Sequence, residues 1–180
     1  MKYKRILAPI LVLLLILNLS ACGPTVSIEA NAKESPGIDQ SKFTWQIEVI
    51  NAVAAESLHT STGIVQYDGS VQDMVFDDKP SSGNEFIIIT MNINKAKAGG
   101  GKFVWGNLSL KDNAENKYYR MQDDDFLSDH TYKRLSGTDL SLGLLKGSIC
   151  FEVPAGTDVS DYTLEYDTGS EGLNTIPLLN

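Results

Sequence analysis

Phe86-Ile87-Ile88-Ile89-Thr90-Met91-Asn92-Ile93 is the most apolar run of the chain beyond its N-terminal residues. Successive side chains of a strand point to opposite faces, and here both faces begin with large apolar groups. A strand apolar on both sides belongs at the centre of a packed sheet.

Outward from this run the pattern stays at period two. Upstream, Phe43, Trp45, Ile47 and Val49 alternate with Thr44, Gln46 and Glu48, a half-buried strand with Trp45 in the inward phase. Ile64–Tyr67 and Val71–Phe76 flank Asp68-Gly69, two residues that tolerate positive φ, and predict a hairpin. Asp77–Asn84, with Pro80 and Gly83, reads as a connection. Downstream, Ala98–Lys102 is a glycine-rich loop, and Phe103–Leu110 is a strand whose apolar phase slips near Gly106-Asn107, which predicts a bulge. Asp112–Asn116 turns into Lys117–Met121, and Asp123–Leu135 is charged and irregular, with a short helical turn. Leu140–Leu144, Ser148–Val153, Tyr162–Tyr166 and Ile176–Leu178 complete the set. About nine strands spaced roughly 8–12 residues apart, with no long amphipathic helix, predict an all-β chain folded as an antiparallel sandwich or barrel.

The N-terminus obeys other rules. Lys2, Lys4 and Arg5 precede an apolar run from Ile6 to Leu17, and Leu19-Ser20-Ala21-Cys22 follows. A basic head, a run too short to span a bilayer comfortably and small residues before a cut site describe a secretory signal over 1–21. The tetrapeptide resembles the lipobox of bacterial lipoproteins, which implies cleavage before Cys22 and a diacylglycerol, carrying acyl chains such as palmitate, on its thiol. Residues 22–41, with Pro24, Pro36 and Gly37, then read as a lipidated flexible tether, and 42–180 as one folded domain. The implied address is the extracytoplasmic face of a cell membrane, with the anchor on Cys22 as the membrane contact.

Three further segments carry a second resemblance. Lys79-Pro80 followed by Gly83-Asn84-Glu85-Phe86 opens the apolar strand, Leu108-Ser109-Leu110-Lys111-Asp112 leads through a polar turn to Tyr118, and Gly147-Ser148-Ile149-Cys150-Phe151-Glu152-Val153-Pro154 closes the set. Together they resemble the Gram-positive lipoproteins of domain-of-unknown-function family 4352, whose fold is similar to immunoglobulin-like sandwiches and to a secreted mycobacterial antigen. The resemblance, over roughly Phe43–Tyr166, implies an immunoglobulin-like antiparallel β-sandwich and brings no catalytic residues.

Charge excludes some partners. Lys2, Lys4 and Arg5 leave 12 of the 15 basic residues against all 23 acidic ones after Cys22, a formal charge near −11. Such a domain repels phosphate backbones, so nucleic acid is not an expected partner, and it stands off an anionic membrane surface. With Cys22 lipidated, Cys150 is the one remaining thiol, no internal disulfide forms, and the core alone must hold the domain.

Catalytic signals are sparse. His59 and His130, the two histidines, lie in polar, turn-like segments without a nucleophile motif beside them, and no cofactor is expected. Asp123-Asp124-Asp125 with Asp129, near Asp77 and Asp78, is the best ionic candidate, because calcium takes several carboxylate oxygens; Asp123, Asp125 and Asp129 are the expected ligands. Phe126-Leu127 interrupts EF-hand spacing, and a solvated acidic loop explains the run as well. Cys150 is in phase with Ser148 and Glu152, off the main core face, and reads as a semi-buried structural cysteine. Trp105, beside the glycine loop, with Tyr119 and Tyr132, are the aromatic candidates for a binding surface. The leading expectation is a non-catalytic module that binds a protein or envelope ligand, through loops such as 77–85, 95–102 and 122–138. An envelope enzyme or enzyme-associated subunit, and a calcium-dependent adhesion module, are the alternatives.

Overall fold

The apolar run becomes a central strand, as its two apolar faces require. A computed structural model describes residues 39–99, 101–135 and 143–178, all within one unit spanning Ala32–Asn180. The segment expected as a signal, 1–21, Cys22, the expected tether as far as residue 38, Gly100 and residues 136–142 (with them most of the strand expected at Leu140–Leu144) lie outside the described residues. Nine strands follow among those described: β1 (Trp45–Ala55), β2 (Leu58–Val65), β3 (Val71–Asp78), β4 (Asn84–Lys95), β5 (Leu108–Asp112), β6 (Lys117–Tyr119), β7 (Leu144–Pro154), β8 (Tyr162–Asp167) and β9 (Leu173–Pro177). Among the described residues no helix is long and apolar enough to cross a membrane.

The strands make an antiparallel sandwich. One sheet has the order β1-β4-β7, the other β6-β5-β8-β9, and β2-β3 form a separate two-stranded ribbon. Every strand pair is antiparallel. In immunoglobulin lettering these orders are A-B-E and C′-C-F-G, with the β2–β3 ribbon inserted between strands A and B.

The two sheets meet through the alternation visible in the sequence. Ile87, Ile89, Met91 and Ile93 of β4 and Ile149, Phe151 and Val153 of β7 share one core with Leu108 and Leu110 of β5 and Tyr162, Leu164 and Tyr166 of β8. Tyr162 stands at the corner entering strand F, its hydroxyl 2.6 Å from the Thr157 Oγ1, in the manner of a tyrosine corner. An antibody domain places its second bridge cysteine two residues further on; here that residue is Leu164, fully buried. Phe103 stacks on Tyr166 at 4.2 Å and meets Trp45 and Trp105 edge-on at 5.6 and 5.0 Å. Burying one such aromatic contributes about 1.5–3 kcal/mol, so this cluster is a substantial part of what holds the core together.

The back face of β4 has its own cover. Phe86, Ile88, Leu127 and Cys150 form a second cluster, with Phe126 and Tyr132 packed against it. The segment 121–135 lies along the outer edge of β7: the Met121 amide donates to Cys150 O at 2.9 Å, and Leu135 and Ser148 are joined through Leu135 N to Ser148 O at 2.9 Å. Covering an edge in this way removes a template for unwanted strand pairing.

Several boundaries differ from the sequence pattern. β1 continues past Val49 to Ala55 because a bulge at Ile50, unpaired between Val49↔Met91 and Asn51↔Thr90, resets the phase. Where a phase slip predicts a bulge at Gly106-Asn107, the chain makes a 3-10 turn at Trp105–Asn107, and β5 begins only at Leu108. Ser148–Val153 is the centre of a longer β7 that runs through Gly147. The folded part also starts before residue 42: Gln40 and the buried Asn174 exchange amide hydrogen bonds, both at 2.8 Å.

Candidate functional site

The 3-10 turn Trp105–Asn107 changes what Trp105 does. The indole packs on Phe103, so Trp105 is 8% exposed and belongs to the main core, not to an open aromatic surface. One edge of it still reaches solvent, at the floor of an open groove of about 510 Å³ lined by Trp105, Gly106, Tyr119, Arg120, Met121 and Gln122. The neighbouring strand β6 is only three residues long, and Tyr119 at its end is 62% exposed while Tyr118 turns inward to donate to Asp112 Oδ2 at 3.0 Å. Tyr119 therefore stands as a wall: on its other side lies a hollow of about 130 Å³ bounded by Ser109, Lys117 and Leu173.

The charge in the groove is already committed. The Arg120 guanidinium lies 4.3 Å above the Trp105 ring and donates to Asp124 from Nε at 2.8 Å and Nη2 at 3.0 Å. Its Nη2 also donates to Leu135 O at 2.5 Å. Asp124 is fully buried and takes a further bond from Arg134 Nε at 2.7 Å. A buried carboxylate is tolerable when several donors satisfy it, and this one holds segment 121–135 to the end of β6. What the groove offers a ligand is the Trp105 edge, the Tyr119 ring, the Met121 thioether and the Gln122 amide.

The expected calcium ligands do not meet. Asp123, Asp125 and Asp129 are each exposed, and Asp125 sits 3.5 Å from Arg134 Nη2. Among the described residues no three His, Cys, Asp or Glu side chains are gathered as a metal ion requires. Asp77 and Asp78 are engaged elsewhere, by His59 at 2.5 Å and by His130 at 2.8 Å.

Neither histidine occupies the free turn its neighbours suggest. His59 lies on β2, and His130, closing the 3-10 turn Asp124–His130, is buried. His130 Nδ1 is 2.8 Å from Thr60 Oγ1 and Nε2 is 2.8 Å from Asp78 Oδ2. Hydroxyl, imidazole and carboxylate in line have the composition of a hydrolytic triad. Here the rings of Phe76 and Phe126 close over the imidazole at 6.5 Å each, and none of the three polar residues lines the groove. The trio acts as a clamp fastening the β2–β3 ribbon to the body. No local sequence signal announces it, because its members are 70 and 52 residues apart.

Two other candidates fall outside the groove. Tyr132 packs, half-buried, on the second cluster, and its burial raises the phenol pKa. Cys150 is off the main core, as its phase requires, yet fully buried rather than semi-buried, because segment 121–135 covers that face. Burial first, then Asp124, Glu152 and Asp123, push its thiol far above the ordinary range, which removes it as a nucleophile. No known protein family, curated protein or solved structure matches the chain.

Proposed function

We propose that the chain is a non-catalytic binding module, lipid-anchored through Cys22 at the outer face of a bacterial membrane, and that its contact surface is the groove beside Tyr119. The reading of its address rests on the basic head, the apolar run and Leu19-Ser20-Ala21-Cys22. Its resemblance to the lipoproteins of domain-of-unknown-function family 4352 points the same way.

The observation that carries the binding role is the convergence of Trp105 and Tyr119 on one groove whose cation is neutralised by Asp124. The exposed Tyr119 ring and the Trp105 edge, with an adjacent amide and no available charge, suit a neutral ligand that presents C–H faces and hydroxyl groups. A glycan strand of the envelope has that chemistry. Titrating the full-length protein in detergent with N-acetylglucosamine oligomers should change its tryptophan fluorescence saturably, and Tyr119→Ala should abolish the change. A flat titration would remove glycans as the ligand. The anchor has a separate test: Cys22→Ala should abolish labelling by a fatty-acid analogue in cells, and a labelled variant would sink it.

A further inference from the structure

The β2–β3 ribbon carries a surface that the groove does not use. Strands of this length extend about 26 Å, and an isolated two-stranded ribbon buries little of its own surface. Its base is held by the Thr60–His130–Asp78 clamp and by Leu58 in the second cluster. Beyond that base Val65, Val71 and Val75 are 69%, 66% and 51% exposed.

Register places these side chains. Cross-strand partners share a face, so Val65↔Val71, Gly63↔Asp73, Ser61↔Val75 and His59↔Asp77 all present to one side. The Gln66 amide donates to Ser70 O at 2.7 Å, so these two residues point their backbone groups into the ribbon. By the alternation of an antiparallel ladder, Val71, Asp73, Val75 and Asp77 point theirs outward. Among the described residues no backbone group accepts or donates along that edge of β3. Val71, Asp73, Val75 and Asp77 thus combine an open hydrogen-bonding edge with a row of alternating apolar and acidic side chains.

Charge selects the occupant. Residues 58–78 contain four aspartates, Asp68, Asp73, Asp77 and Asp78, and no Lys or Arg. A second copy adding edge to edge would bring the same four aspartates alongside with no Lys or Arg to offset them, and like charges brought together destabilise a strand pair. A cationic strand meets the opposite condition. We propose that the free edge of β3 binds an extended cationic polypeptide by strand addition, the partner carrying apolar and Lys or Arg side chains in turn at every second residue, on the face opposite Val71, Asp73, Val75 and Asp77.

The test uses the full-length protein in detergent and two fluorescein-labelled octapeptides, a Val-Lys peptide Thr-Val-Thr-Lys-Thr-Val-Thr-Lys and a Val-Glu peptide Thr-Val-Thr-Glu-Thr-Val-Thr-Glu, in which the two named side chains alternate along a single face. Anisotropy should show saturable binding of the Val-Lys peptide, at least about tenfold tighter than the Val-Glu one. Asp73→Asn should weaken it severalfold. Val75→Pro removes an outward N–H while leaving the ribbon's own ladder intact, and should abolish strand addition; far-UV dichroism checks that this variant folds, and if it does not, Asp73→Asn decides. Equal binding of both peptides, binding unchanged by Asp73→Asn, binding unchanged by a folded Val75→Pro, or a protein dimer that excludes the peptide would each overturn the proposal.

Discussion

Arg120 grips Asp124 through both carboxylate oxygens, although that carboxylate is fully buried. Arg134 reaches the same group from the far end of segment 121–135, so one side chain joins β6, the 3-10 turn and the strap along β7. Asp124→Asn would leave two guanidinium groups facing a neutral amide. Removing one partner of a buried pair costs about 3–5 kcal/mol, and Asp124→Asn should destabilise the fold by that order. Urea unfolding followed by tryptophan fluorescence measures it, and the native signal should change too, since Arg120 lies over Trp105. A loss under about 1 kcal/mol would show that the charges are better solvated than their burial implies.

Gly147 is fixed by space. A Cβ built there would lie 2.5 Å from Lys133 O and 2.9 Å from Leu135 Cγ, where the strap crosses β7. The obstacle at 2.5 Å is backbone, so no side-chain rotation relieves it. Gly147→Ala should therefore cost about 1–3 kcal/mol, the usual penalty for overpacking. Hydrogen exchange should locate the damage, with faster exchange at Ser148 and Leu135, whose amides pair with Lys133 O and Ser148 O. Wild-type protection at both positions would disprove the crossing as described.

Glu165 gives the domain a pH dependence. It is nearly buried on the outer face of β8, with Lys111 Nζ at 2.9 Å and Lys117 Nζ at 2.8 Å. Burial pushes its pKa up, but the two lysines outweigh burial and hold it below the ordinary carboxylate value. A depressed folded pKa means that its stabilisation is complete above the unfolded value, near about 4.3, and disappears as pH falls through the folded one. Glu165→Gln should lower stability at pH 7 and flatten the loss of stability below about pH 4.5. Melting temperatures across pH 2–7 test this, and parallel curves for the two proteins would refute it.

The sequence exposes what short-range periodicity encodes and hides what long-range contacts decide. Phe86–Ile93 announces a central strand because each face of it touches a different cluster. The part of β2 from Leu58 to Gly63 leaves no such trace: its face residues are largely exposed, so Ser61, Thr62 and Gly63 need no apolar alternation. Trp105 misleads for a local reason, since it reads as part of a strand that opens beside the glycine loop, whereas it starts a 3-10 turn and its indole is packed in the core. Tyr119 is the aromatic candidate that projects from the groove wall, as the last residue of a strand that ends at the surface. Asp124 reads as one of three equal aspartates; only the fold makes it a buried acceptor for two arginines and leaves Asp123 and Asp125 exposed.

Cys150 closes the chemistry of that back face. Its Sγ lies 3.6 Å from Phe151 O, within a cluster of Phe86, Ile88 and Leu127, and its thiol pKa is driven up first by burial and then by Asp124, Glu152 and Asp123. Thiolate is the reactive form, so a raised pKa and a closed face act in the same direction. Iodoacetamide at pH 8 should leave Cys150 unmodified in the folded protein and alkylate it completely in urea, with mass spectrometry assigning the site. Asp124→Asn removes one of the repelling carboxylates and loosens the strap, so it should make Cys150 measurably alkylated without denaturant. Labelling of the native wild-type protein at the rate of a free thiol would mean that segment 121–135 opens readily, and that the second cluster is not the closed layer its packing implies.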